Sequence, residues 1–157
     1  MCLVLPLFLL LLSYKLVLFF TPLTSAQQGV FLFLEGKGEL QSGFTELEVS
    51  HLEDVRLVMH YADYVFYVLL LAVTVIVTYY RKDKDFGLKL LNYGGKFTII
   101  AMIFLGVFSL FFFDVVFTIF HKIFFPQGNW IFAADSMLIQ TFPLKFFIAI
   151  SRNILLL

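Results

Sequence analysis

Three histidines, His51, His60 and His121, are the side chains best suited to moving protons near neutral pH. On a helix, His51 and Asp54 share a face, so the carboxylate can hydrogen-bond one ring nitrogen, fix the tautomer and leave the other nitrogen as a general base. The plainer alternative is a solvated helix opening in which Asp54 pairs with Arg56 or with an amide. Asp114 precedes His121 by two helical turns on the same face, about 10 Å along the axis. An ionisable group inside an apolar run faces protein or water, because exposure to lipid costs several kcal/mol. Phe111, Phe112 and Phe113 offer Asp114 no partner. One must come from another helix, as Arg56 or His51, unless the carboxyl is protonated. Asp114 then anchors two helices, orients His121 or binds a polar headgroup.

His121 and Lys122 are followed by Phe124-Phe125-Pro126-Gln127-Gly128-Asn129-Trp130. Pro126 ends a helix, and Gly128 permits backbone angles that other residues resist. The result is a polar hairpin at an interface, with Trp130 as the depth anchor. Asn129 both donates and accepts, so it either steadies a polar intermediate or caps a turn. Asp135 and Ser136 precede another apolar stretch and can cap it. Ser136 lacks the Gly-x-Ser-x-Gly setting of an activated nucleophile. A metal site is not expected, since there is no HExxH, no His-Cys cluster and no close ligand pair except His51 with Asp54. Gly94-Gly95 has no Lys-Ser/Thr behind it and is no phosphate loop. Cys2, the single cysteine, has no second thiol for a disulfide or a CxxC pattern.

The elements that must position these residues are membrane helices. The 157 residues are 61% hydrophobic and 19% aromatic but only 14% charged, against about 25% charged in an ordinary globular domain. Balanced formal charge gives no reason to expect nucleic acid as a partner. Apolar runs over about 1–20, 62–80 and 97–120 each suit a membrane-crossing helix. A weaker run over 137–157, interrupted by Pro143, Lys145, Arg152 and Asn153, reads as a short, re-entrant or truncated fourth. A cleaved signal peptide competes for the first run, because Thr24-Ser25-Ala26 loosely resembles a cleavage site, although no basic residue precedes it. The expected fold is therefore an all-α, polytopic membrane bundle of three to four transmembrane helices, one integral domain over 1–157.

Basic residues in short loops stay in the cytoplasm. The stretch 81–96 holds Arg81, Lys82, Lys84, Lys89 and Lys96 against two aspartates, so it belongs inside. The segment 21–61 between the first two spans is acidic and belongs outside, and all three histidines then fall on the outer side. Within that segment Glu35-Gly36-Lys37-Gly38 signals a turn. Thr45-x-x-Glu48 and Ser50-x-x-Glu53 each fit a capping box, in which the hydroxyl satisfies an orphan amide and the glutamate reaches back. A helix opened there can run through Asp54 and Arg56 directly into the second span.

Two blocks resemble a known family. His51-Leu52-x-Asp54-Val55-Arg56 lies just before the second span. Asp114-x-x-Phe117-x-x-Phe120-His121-x-x-Phe124-Phe125-Pro126-x-Gly128-Asn129-Trp130-x-Phe132-x-x-Asp135-Ser136-x-Leu138-Ile139-x-x-Phe142-Pro143 begins inside the third span and runs past it. Together they resemble the bacterial lipoprotein intramolecular transacylases, over about residues 31 to 150. The resemblance implies a four-helix protein of the bacterial cytoplasmic membrane with its active face extracytoplasmic. Its reaction would move the sn-2 acyl chain of a diacylglyceryl-modified lipoprotein cysteine onto that cysteine's own α-amine, leaving a lyso-form lipoprotein. Diacylglyceryl lipoprotein and membrane lipid are the implied partners, and no cofactor is implied.

By motif, His51 and His121 are the implied catalytic pair, with Asp54, Arg56, Asp114, Asn129, Trp130 and Asp135 supporting them or binding substrate. His121 would take a proton from the attacking amine or deliver one to the departing glycerol oxygen. His51, held by Asp54, would supply the complementary transfer, with Arg56 or Asn129 near the oxyanion. Leu144 and Ala149 stand where relatives usually carry acidic residues. The alternative is a non-catalytic membrane protein that binds lipid or lipoprotein. The enzyme reading requires both imidazoles in one cleft, whereas an adaptor would have His121 packed away.

Overall fold

A computed structural model describes residues 4–156, and among these it is entirely helical. Seven helices follow in order: α1 (Val4–Phe20), α2 (Ser25–Leu34), α3 (Glu46–Tyr80), α4 (Lys84–Phe111), α5 (Phe113–Phe124), α6 (Met137–Thr141) and α7 (Leu144–Leu156). Cys2 lies outside the described residues.

The expected long helix through the second span is present. Thr45 caps it in a full capping box, its hydroxyl accepting from the Glu48 amide while Glu48 accepts from the Thr45 amide at 2.7 Å. From there α3 runs unbroken for 35 residues, about 52 Å. No second start occurs at Ser50, because the earlier box has already satisfied the orphan amides.

The third run differs from its expected bounds of 97–120. Tyr80 to Asp83 make a tight turn, and the Asp83 side chain accepts from the Phe86 amide, so α4 opens at Lys84. Most of the basic stretch is thus helix rather than loop. The run also breaks at Phe112, whose φ −132 and ψ 37 lie outside the helical region. Neither proline nor glycine forces that break. It starts a new helix with Asp114 in its first turn, where a carboxylate meets the positive end of the helix dipole.

The last run is likewise two helices. Pro143 supplies no amide and disfavours helical angles at Phe142, which sits at φ −124 and ψ 72 between α6 and α7. The weak run over 137–157 is therefore a short helix, a corner and a 13-residue helix.

Two regions result. Helices α3 and α4 are long and apolar enough to cross a membrane, and α1 is a shorter apolar helix of 17 residues. Helix α1 packs against α3, α4 and α7. Phe8 stacks on Phe66, and Lys15 pairs with Asp63 at 2.6 Å, so α1 and α3 lie side by side through this stretch. Most of their remaining apolar surface is open, including Leu71 and Val77 of α3 and Ile100 of α4. In water that surface would be severely unfavourable, whereas acyl chains cover it without cost.

The second region is the buried core, and it lies beside the spans. Val30 and Leu34 of α2, Leu52 of α3, and Leu138 and Phe142 pack together, with Phe31, Phe44, Val55 and Phe132 around them. Thr24-Ser25-Ala26 is the cap and first turn of α2: Thr24 and Gln27 form a second full capping box. The buried Gln27 amide also donates to the Thr141 carbonyl at 2.9 Å, satisfying the open end of α6. Gly36, at φ 73, closes α2, with the Lys37 and Gly36 amides bonded to the carbonyls of Leu32 and Phe33. The segment 21–61 is consequently a folded cap on the helices, built jointly with 125–146.

Candidate active site

Helix α3 carries His51 two turns in from its cap, where the core leaves it 6% exposed. Helix α5 carries His121 in its last turn. The ring centroids lie 6.0 Å apart with an interplanar angle of 24°. Aromatic side chains enclose the pair. Phe125, itself buried, is 4.7 Å from His51 and 5.4 Å from His121, Phe132 closes on His51 at 5.5 Å, and Trp130 on His121 at 5.0 Å.

His121 Nδ1 lies 2.8 Å from the Phe117 carbonyl. A carbonyl only accepts, so Nδ1 carries the hydrogen and the neutral ring offers its lone pair at Nε2. The tautomer of a base is thus set by the backbone of its own helix.

The loop after α5 returns to α3 through polar contacts. The Phe125 amide bonds to the His121 carbonyl and ends the helix, and Gly128, at φ 80, turns the chain. Asn129 Nδ2 then donates to Asp54 Oδ2 at 2.6 Å and to Ser50 Oγ at 3.2 Å, and Gln127 also donates to Asp54. Burial, with the neighbouring His121, pushes His51 down from 6.5 to about 4, while Asp54 and Asn129 pull it upward. Burial also lowers His121, partly offset by the Phe117 carbonyl. Both rings are therefore neutral at pH 7, as a pair of proton acceptors must be.

Of the expected site residues, the structure gathers His51, His121, Asp54, Asn129 and Trp130. Their roles differ in part from those expected. Asp54 has no hydrogen bond to His51 and spends Oδ2 on Gln127 and Asn129, pinning the loop. Asn129 cannot serve an oxyanion, because both hydrogens of its amide are committed and only the acceptor end remains. Arg56 is turned away: its guanidinium lies over the Phe33 ring at 5.1 Å and against Gly36, where it steadies the end of α2. Asp114 is exposed at the start of α5, without a hydrogen bond or ion pair among the described residues. Asp135 is also exposed, and among the described residues its side chain has no hydrogen bond, while its backbone carbonyl accepts from Gln140.

Glu48 is the residue whose reach the sequence concealed. It is 1% exposed, and besides capping α3 it accepts from the Leu138 amide at 2.7 Å. Burial alone would raise its pKa, but the amides of Thr45 and Leu138 and the hydroxyls of Thr45 and Ser136 more than offset this and hold it below 4.5. One carboxylate thereby caps two helices, α3 and α6. Its capping motif was legible, but the contact across the fold had no local signal.

Among the described residues no cluster of three or more His, Cys, Asp or Glu side chains is placed to hold a metal. What the site offers is two neutral imidazoles and acceptor oxygens in an aromatic enclosure, suited to moving a proton between an amine and an oxygen.

Comparison with known proteins bears on that chemistry. An uncharacterized protein of Aquifex aeolicus is 29% identical over 113 residues, which is 70% of this chain and 50% of that protein. The chain thus spans about half the length of the curated relative it matches. No solved structure matches. Residues 29–147 match the family described as lipoprotein intramolecular transacylase Lit, and this interval contains every residue of the paired-histidine site. The chain belongs to the lipoprotein intramolecular transacylase family, whose members' role is that of acyltransferases.

Proposed function

We propose that the protein transfers the sn-2 acyl chain of a diacylglyceryl-modified lipoprotein cysteine to that cysteine's own α-amine, at the outer face of a bacterial cytoplasmic membrane. The observation that carries this reading is the 6.0 Å pairing of His51 and His121 inside the folded cap. Helices α1, α3 and α4 supply the spans in this reading, with the amino terminus inside and α7 as a truncated fourth, and the whole chain is one integral membrane domain.

The neutral amine attacks the ester carbonyl carbon. A C–N bond forms, the bond to the sn-2 glycerol oxygen breaks, and the amine proton ends on that oxygen. Ester becomes amide plus free hydroxyl, with no water or co-reactant consumed. His121 Nε2, whose lone pair is fixed by the bond from Nδ1 to Phe117, is the base that takes the proton. Its transient positive charge, beside His51, stabilises the negative tetrahedral oxygen. Proton return to the glycerol oxygen comes from His121 directly or through His51. Attack within one molecule has a large entropic advantage, so the aromatic enclosure's part is to hold amine and ester in line.

Mass spectrometry of a lipoprotein amino-terminal peptide, from bacteria that lack such an activity and express this chain, tests the reading. The lyso-form product is expected with the native chain and its loss with His51→Ala and with His121→Ala. Unchanged diacylglyceryl product from the native chain overturns it, as does lyso-form product from both variants.

A further inference from the structure

Among the described residues, two buried polar side-chain atoms are without hydrogen bonds, His51 Nδ1 and Asn129 Oδ1. Each belongs to a side chain more than nine-tenths buried. The amide orientation of Asn129 is not arbitrary. Asp54 Oδ2 accepts from the Gln127 amide as well, so the NH2 end of Asn129 must face it, and Ser50 Oγ takes the second hydrogen. The carbonyl end therefore points the other way. It is an acceptor with nothing to accept, in the same enclosure as a ring nitrogen able to donate. Left apart, each would carry the desolvation penalty of an unpaired buried polar group.

We propose that Asn129 is a positioning residue for His51: its Oδ1 accepts from Nδ1–H, oriented for that task by Asp54 and Ser50. Nε2 of His51 then carries the lone pair, as Nε2 of His121 does through the Phe117 carbonyl. The influence of Asn129 on His51, which raises the ring's hold on a proton, is in the direction an acceptor at Nδ1 produces. The two imidazoles become chemically matched, each tied at Nδ1 and open at Nε2, so either can hold the migrating proton. Asp54 acts on His51 through the amide rather than by contact. This assignment rests on the transacylase reading for its catalytic meaning but not for its structural content.

The test is nitrogen-15 NMR of the histidine rings in the full chain, in phospholipid nanodiscs near pH 7. His60→Gln, at an exposed position, removes the third ring signal. The expected result is an Nδ1–H tautomer for His51. Asp54→Asn keeps the side-chain volume but can donate as well as accept, which frees the Asn129 amide to turn. That variant and Asn129→Leu are expected to move His51 toward the Nε2–H form. In an acyl-transfer assay with a synthetic diacylglyceryl lipopeptide, Asp54→Asn should lower kcat about 10- to 100-fold with KM little changed. An Nε2–H tautomer in the native chain, or a tautomer unmoved by Asp54→Asn, overturns the assignment. Nδ1–H tautomers in a chain that transfers no acyl group would instead sink the transacylase reading and leave the positioning intact.

Discussion

Glu48 and Leu138 are joined through a carboxylate oxygen and a backbone amide at 2.7 Å, and this one bond ties the start of α3 to the start of α6. The carboxylate is buried and bonded only to donors. Glu48→Gln puts an NH2 group among amides that already donate, so destabilisation by about 2–3 kcal/mol is expected. Thermal unfolding in detergent, followed by fluorescence of Trp130, the single tryptophan, measures it. An unchanged midpoint would mean that the α6 amide finds other partners.

The pH dependence should carry an uncommon sign for histidine chemistry. Burial depresses His51 to about 4, so the unfolded chain binds its proton more readily than the folded one. That contribution is fully present above pH 6.5 and is lost as pH falls toward 4. His121 moves the same way. Because both rings are already neutral at pH 7, the rising limb of kcat/KM should follow the substrate's α-amine, at about pH 8. A limb at about pH 6.5 that remains when the lipopeptide amine is made less basic would show that a histidine ionises there instead.

Much of this arrangement was legible because it is local. The Thr45 capping box fixed the start of α3, and the apolar run to Tyr80 carried it through the second span. His51 and His121 were identified by type and by the motifs around them. Contacts across the fold were not legible. Asp54 sits at helical spacing from His51, yet its partners come from the loop at 127–129, because that loop supplies donors that neither His51 nor Arg56 places within reach. Arg56 looked like a site cation, but five residues of helix rotate it about 140° from His51, onto Phe33. The break at Phe112 had no proline or glycine to announce it.

The carboxylates at Asp114 and Asp135 separate proximity in the motif from proximity in space. Both are exposed and outside the paired-histidine enclosure. Asp114→Asn and Asp135→Asn are each expected to change kcat/KM by less than about threefold. Asp114→Asn should also cost about 0.3–1 kcal/mol of stability, through its place in the first turn of α5. A loss at either position comparable to that of Asp54→Asn would require these side chains to reach the substrate.

The proposed side of the membrane for the histidines rests on charge and on one ion pair. Lys15, late in α1, meets Asp63, where the apolar part of α3 begins, so the end of α1 and the start of that part lie at one level. The turn after Tyr80 lies at the far end of α3, and basic residues crowd it. In the proposed orientation, retention of those residues in the cytoplasm would put the capped end of α3, with His51, outside. In a Cys2→Ser background, cysteine at Lys82 should react with a membrane-impermeant maleimide only after the cells are opened. Cysteine at the exposed Glu39 should react in intact cells. Reversal of that pattern would put the paired imidazoles on the cytoplasmic side, away from the leaflet in which a lipoprotein amino terminus resides.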